Sequence, residues 1–282
     1  MGELFQWRYV FKYFPKLLEV LPTTLGLVFG ATLIGTVVGF LIALARIERL
    51  PILNQFATIF ASFIRDTPVL VQLFLVYYAV PVLFQRTLGI DVNGWNKLIF
   101  VFIAFGLNAA AFFSEIFRSA VQSIPNSQRD AARAIGMTKR QMYQRIILPQ
   151  TIRILIPTYG TMLVALLQDT AVAFTLGVID VIGKVRQLGT FYYHSLEGYF
   201  DAAIIFIILS ILIEKLFTYL DKRLTPAYAR TEAPVAITIG PLDENSLAEA
   251  TVSEKLTETA TIDKLLNERE KEGKILTLAE AE

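Results

Sequence analysis

The chain has 282 residues, of which 54% are hydrophobic and only 18% charged, where a soluble chain carries about 25% charge, so the composition argues against an ordinary water-soluble core. It contains no cysteine and one histidine, His194, which removes the ligands of a zinc or iron–sulfur site and the thiol of a cysteine nucleophile. The net charge of +1 hides an asymmetry: residues 1–230 hold 21 basic and 13 acidic side chains, and residues 231–282 hold 5 and 12.

A helix needs ~20 mainly apolar residues to cross a hydrocarbon core ~30 Å thick. The first 16 residues read as an external or interfacial segment. Leu25 to Ala45 carries no charge, and its apolar character reaches back past Pro22 to Leu17. This run exceeds a signal-peptide core of ~7–15 residues and predicts a retained first span. Gly26, Gly30, Gly35 and Gly39 give it two G-x-x-x-G spacings, which suit close packing inside the subunit and dimer contact equally.

The next run, Ile52 to Phe84, is interrupted by Arg65-Asp66-Thr67-Pro68 and is too long for one span. Pro68 disfavours helical geometry at Thr67, so the pattern predicts a half-buried helix, a break and a second span from about Val69. A third span is expected over Leu98 to Phe117, a fourth over Ile154 to Ile179 with Asp169 inside it, and a fifth over Ala202 to Leu220. Between spans three and four lie Arg118, Arg129, Arg133, Lys139, Arg140, Arg145 and Arg153, against Arg86 and Lys97 in the loop after span two. The positive-inside rule then puts that loop in the cytoplasm, the N-terminus outside and the end of span five, with Lys222, Arg223 and Arg230, inside. Arg8, Lys12 and Lys16 pull mildly the other way.

Residues 125–149, PNSQRDAARAIGMTKRQMYQRIILP, are too polar to span. Ser127 with Asp130 reads as a helix start, Gly136 as its stop, Thr138 with Gln141 as a capping box, and Pro149 as the point where the second helix ends or kinks. Two short helices joined at Gly136 should project from the cytoplasmic face. Their tether to membrane spans at both ends argues against a DNA-binding helix-turn-helix.

Asp130-Ala131-Ala132, three residues, Gly136, nine residues, then Ile146-x-Leu148-Pro149 resembles the E-A-A signature of ABC importer permeases, with Asp for the usual Glu. Arg65 to Gln72 resembles the R-G-T-P-L-L-V-Q run of the polar amino acid permeases. Asn108-Ala109-Ala110, Glu115 to Arg118 and Gln122 to Pro125 are similar to that subfamily's third span, and Gln168-Asp169-Thr170 to its K-D-T run. The likeness covers about Leu17 to Leu224; Asp66 replaces a frequent Gly, and Gln168 a frequent Lys.

The resemblance implies an all-α, five-span integral membrane protein of type I ABC importer permease architecture, with a transmembrane domain over residues 17–230 and a coupling loop over 118–153. It further implies a location in the bacterial plasma (inner) membrane and, as partners, a second permease subunit (a copy or a paralogue), two ATPase subunits and an extracellular or periplasmic amino-acid-binding protein, with no nucleic acid. The chain then binds no cofactor, ATP and magnesium residing on the ATPase, consistent with the lack of a G-x-x-x-x-G-K-[ST] run. Asp130, Ala131, Ala132, Gly136, Ile146, Leu148 and Pro149 become the ATPase-coupling residues.

Ionisable groups at membrane depth cost ~2.5–3.5 kcal/mol and face a partner or a cavity. A zwitterionic amino acid needs a cation or helix N-terminus for its carboxylate and an acceptor for its ammonium. Asp169 is the candidate ammonium partner; Thr67, Gln72, Asn108 and Gln168 offer hydrogen bonds; Arg65 and Glu115 offer charge. Glu115 also lies three residues before Arg118, the spacing of a local ion pair. The alternative from another class is an ion-coupled carrier or channel using Arg65, Asp66, Glu115 and Asp169 without an ATPase. An intramembrane enzyme lacks a paired His or Cys and any nucleophile motif. Residues 231–282, with no aromatic side chain and an acidic excess, read as a disordered cytoplasmic tail.

Overall fold

The computed structural model describes residues 5–224, so the expectation for the acidic tail lies outside the described residues. Helix α1 (Trp7–Ile47) is followed by α2 (Pro51–Arg65), α3 (Val69–Leu88) and α4 (Lys97–Gln122). Then come the short α5 (Asn126–Ala134) and α6 (Lys139–Met142), a π-helical turn at Tyr143–Ile147, α7 (Leu148–Asp169), a 3-10 turn at Thr170–Leu176, α8 (Val181–Tyr192) and α9 (Ser195–Leu224). Among the described residues five helical stretches are long and apolar enough to cross a membrane: Trp7–Ile47, Val69–Leu88, Lys97–Gln122, Lys139–Leu176 and Ser195–Leu224.

The predicted spans are all present, and the largest shifts are at the starts of the first and the fourth. The first helix begins at Trp7, so residues 7–16, expected as a separate segment, are its opening turns. At 41 residues it is roughly 60 Å long, twice the hydrocarbon thickness. Its extra turns are held by packing that no local pattern announces: Tyr13 and Leu17 are fully buried against Val181 and Val185 of α8 and Ala202 and Ile205 of α9. The fourth stretch begins at Lys139 rather than Ile154, because the second helix of the polar loop runs on into the span.

The centre of the bundle is the contact between α1 and α4. A Cβ on Gly35 would stand 2.5 Å from Cβ of Ala109, and one on Gly39 would stand 2.8 Å from the Ala110 carbonyl oxygen. Gly30 likewise faces the Phe102 ring, whereas Gly26 meets nothing within 4 Å. Three of the four span-one glycines therefore serve packing inside the subunit, where their lack of a side chain lets the two backbones approach. Around this seam Leu27, Ala31, Leu73, Val101, Phe105 and Leu166 close the core.

Helix α2 is amphipathic. Ala57, Ala61 and Ile64 are buried, while Ile52, Phe56, Ile59 and Phe63 form an exposed apolar stripe at helical spacing, the pattern of a helix lying along a membrane interface. It stops at the predicted break, and α3 starts after Pro68.

Candidate functional site

The polar loop folds as the two-helix hairpin its sequence predicts, with one changed detail. Helix α5 starts at Asn126 behind Pro125, so Ser127 lies inside the helix and caps nothing. The stop at Gly136 is as expected: its φ is +76°, its N–H donates to the Arg133 carbonyl at 2.9 Å, and the Met137 N–H donates to Ala132 at 3.0 Å. This pair of bonds is a Schellman closure, which needs the left-handed geometry glycine adopts without strain. The Thr138–Gln141 capping box is formed in both directions.

The hairpin has an inner and an outer face. Ala132 is buried with Ile124, Met142 and Ile147, and Arg129 donates to the Val121 carbonyl at 3.0 Å. Asp130, Ala131, Ala134 and Gly136 are exposed, as is Ile135, an apolar side chain 72% exposed on a polar loop. Ile146 and Pro149 are half-buried and Leu148 is exposed.

Pro149 neither ends the helix nor interrupts it. A proline supplies no N–H for the turn before it. Here a π turn absorbs the defect, with the Leu148 N–H donating to the Tyr143 carbonyl. The Gln150 side-chain amide fills the Ile146 carbonyl at 2.8 Å and also donates to Gln128 of α5 at 2.6 Å. Lys139 to Asp169 is thus one helical rod of roughly 45 Å, bonded to the hairpin at its base.

The candidate ligand-binding residues fall into three groups. Thr67, Gln72 and Asn108 form a buried latch at the break between α2 and α3. Gln72 Nε2 donates to the Ile64 carbonyl at 2.6 Å and to the Thr67 carbonyl and Oγ1 at 2.9 Å, while its Oε1 accepts from Asn108 Nδ2 at 3.0 Å. The latch fills carbonyls left open at the end of α2 and ties that end to α4. Replacing Asn108 by Ala leaves the Gln72 carbonyl oxygen buried without a donor. We expect a loss of about 1–3 kcal/mol, read as a lower melting temperature of the purified protein.

The second group surrounds Glu115. Its carboxylate accepts from Arg46 of α1 at 2.7 Å and from Arg118 on its own helix, with Arg65 at 4.0 Å. The Glu115–Arg118 pair was legible from spacing; the Arg46 partner, 69 residues away, was not.

The third group is Asp169 with its neighbour Gln168. Gln168 is exposed, and Asp169 is half-buried where α7 tightens into the 3-10 turn. Among the described residues Asp169 makes no hydrogen bond or ion pair, so nothing joins it to the other two groups.

The sequence reading missed a cluster at the end opposite the hairpin. Glu197, 1% exposed, accepts from the Gln6 N–H at 2.8 Å and pairs with His194 Nδ1 at 2.9 Å, and the His194 ring stacks on Tyr9 at 3.9 Å. His194 is therefore an anchor for the start of α1. Asp180 caps α8 by accepting from the Gly183 N–H at 2.7 Å; burial pushes its carboxyl up to about 6 against the pull of that amide. An Asp just before a helical run is a capping signal that went unused.

Comparison with known proteins gives concordant results. The family described as the binding-protein-dependent transport system inner membrane component matches residues 35–226. The L-cystine transport system permease protein TcyL of Bacillus subtilis is 36% identical over 224 residues, covering 79% of this chain and 93% of that protein. The glutamate/aspartate import permease protein GltK of Escherichia coli O157:H7 is 31% identical over 219 residues, covering 78% and 98%. Among solved structures, an amino acid ABC transporter crystallised with histidines superposes with a TM-score of 0.69 at 27% identity, covering 78% of this chain and 99% of that one. The MetNI methionine ABC transporter has the same fold, with a TM-score of 0.60 at 21% identity. Five apolar spans, a capped polar hairpin between the third and fourth, and these matches lead to one conclusion: the chain belongs to the binding-protein-dependent inner membrane components, the permease subunits of ABC importers, which are transport components and leave ATP hydrolysis to a separate subunit.

Proposed function

We propose that this protein is one of two permease halves of an ATP-driven importer of polar amino acids, fed by a binding protein outside the cell and driven by two ATPase subunits that carry the ATP and magnesium. The N-terminus lies outside and the hairpin inside in this reading, the orientation that the basic residues of the loop favour. The observation that carries this reading is the hairpin–rod unit. Asp130, Ala131, Ala132 and Gly136 belong to a compact docking element, Ile146, Leu148 and Pro149 to its junction with the span, and the exposed Ile135 offers an apolar contact for an ATPase groove. A displacement of the hairpin by the ATPase moves the base of a continuous helix whose far end carries Asp169.

Asp169 serves as the ammonium acceptor in this reading, with Gln168 beside it. Arg65 and Glu115, together with the Thr67–Gln72–Asn108 latch, hold α2, α3 and α4 in register around the path. Cystine, glutamate and aspartate are named for the relatives, and polar amino acids as a class are what a lone carboxylate beside Gln168 suits.

The test is reconstitution in liposomes with candidate ATPase and amino-acid-binding proteins of the same organism. Labelled amino acid should accumulate only when ATP is present. Uptake at the same rate by the purified chain alone, without nucleotide, overturns the proposal in favour of the ion-coupled carrier.

A further inference from the structure

The C-terminal ends of α1 and α2 converge on Glu115 of α4, and this corner holds more positive charge than that one carboxylate neutralises. Three guanidiniums, Arg46, Arg65 and Arg118, surround Glu115. Arg118 spends its donors on Glu115 and on Gln122. Among the described residues Arg46, its side chain 13% exposed, makes a single hydrogen bond, and Arg65, an exposed residue, makes none. Asp66, next in sequence to Arg65, is exposed and pairs with none of them. A guanidinium carries five N–H donors, so Arg46, mostly buried with several of them unused, and the open Arg65 beside it can together take an oxyanion.

Beside this corner a cavity of about 420 Å³ opens between α1, α2 and α4. Its walls are wholly apolar side chains, among them Val38, Leu41, Ile42, Leu53, Phe56 and Phe60, and it borders Ala45, the residue before Arg46. Leu41, Leu53 and Phe56 are more than half exposed, and Phe56 belongs to the outer stripe of α2.

We propose that this corner binds one anionic phospholipid of the surrounding membrane, its phosphate on Arg46 and Arg65 and one acyl chain in the cavity. The two features together select this occupant. A free phosphate satisfies the arginines and leaves the cavity empty, a neutral lipid fills the cavity and leaves the charge surplus, and a phosphodiester with no compensating cation answers both. Bound there, the lipid staples α1 to α2 at the membrane face nearest the hairpin.

The experiment is native mass spectrometry of the purified protein after exchange into phosphatidylglycerol or phosphatidylcholine, with and without inorganic phosphate. Phosphatidylglycerol should be retained and phosphatidylcholine lost. Arg65→Gln, which breaks no hydrogen bond in the fold, should weaken retention roughly tenfold, as expected for losing a charged hydrogen-bond partner. Leu53→Trp, which plugs the cavity from an exposed position, should weaken it comparably. Equal retention of the two lipids, displacement by inorganic phosphate alone, or retention unmoved by Arg65→Gln overturns the proposal. A Leu53→Trp protein that keeps its lipid and loses its dimer assigns the cavity to a second copy, which also overturns it.

Discussion

Substituting Gly136 by Pro is expected to abolish nucleotide-dependent uptake while the protein still inserts and purifies. Gly136 holds φ at +76° and donates its N–H to Arg133, and proline can do neither: its ring fixes φ near −65° and it has no N–H. It also disfavours the helical geometry of Ile135, which caps α5. The Schellman closure is lost, and the angle between α5 and α6 with it. Because α6 is continuous with α7, a hairpin set at the wrong angle no longer transmits ATPase movement to the span. Uptake should fall by at least roughly tenfold, a factor corresponding to about 1.4 kcal/mol of lost coupling. ATP hydrolysis by the partner should persist, uncoupled. Gly136→Ala is the graded control. No atom lies within 4 Å of its added Cβ, so the cost is limited to left-handed strain of roughly 1–2 kcal/mol, and part of the uptake should remain. Undiminished uptake by the proline variant removes the hairpin from the coupling path.

Local chemistry explains why this hairpin was readable from sequence. A capping box and a left-handed glycine are decided within six residues, and both are found where Thr138, Gln141 and Gly136 announced them. The five spans were legible for a similar reason, since a hydrocarbon core demands ~20 apolar residues whatever the tertiary contacts. What escaped was non-local or self-contradictory at short range. The first 16 residues read as a separate segment, yet α1 already runs from Trp7 because Tyr13 and Leu17 are buried on α8 and α9. Pro149 read as an end or a kink, and the π turn at Tyr143–Ile147 that carries the helix through it was announced by no local pattern. Helix α8 is short and only moderately apolar, so no membrane-length pattern revealed it.

The candidate site shows the same division. Glu115 with Arg118 is an i, i+3 pair and could be seen; Arg46 arrives from another helix and could not. Asn108 and Glu115, seven residues apart, share one face of α4, a spacing that by itself points to common neighbours. They are instead engaged by different neighbours, Gln72 from the α3 side and Arg46 from α1. Helical spacing reports which residues point the same way and is silent on what meets them.

Asp169→Asn is expected to weaken substrate binding by roughly tenfold to a hundredfold with little effect on stability, because a hydrogen bond to a charged group contributes about 1.5–3 kcal/mol. Stability should hold because Asp169 has no hydrogen bond or ion pair to lose among the described residues, and Asn preserves its shape. Binding should suffer because a half-buried carboxylate at the end of α7 is poised for a cation. The negative end of the helix dipole lies there, so a positive group is favoured and the unpaired carboxylate is not. An α-ammonium supplies that charge, and Asn offers it only a neutral carbonyl. Calorimetric titration of the purified complex in nanodiscs reads the affinity, and a melting curve on the same sample reads stability. A substrate analogue without the ammonium should bind wild type and variant alike. Unaltered affinity for the amino acid itself excludes Asp169 from the site, and a collapse of the melting temperature marks it as a structural residue instead.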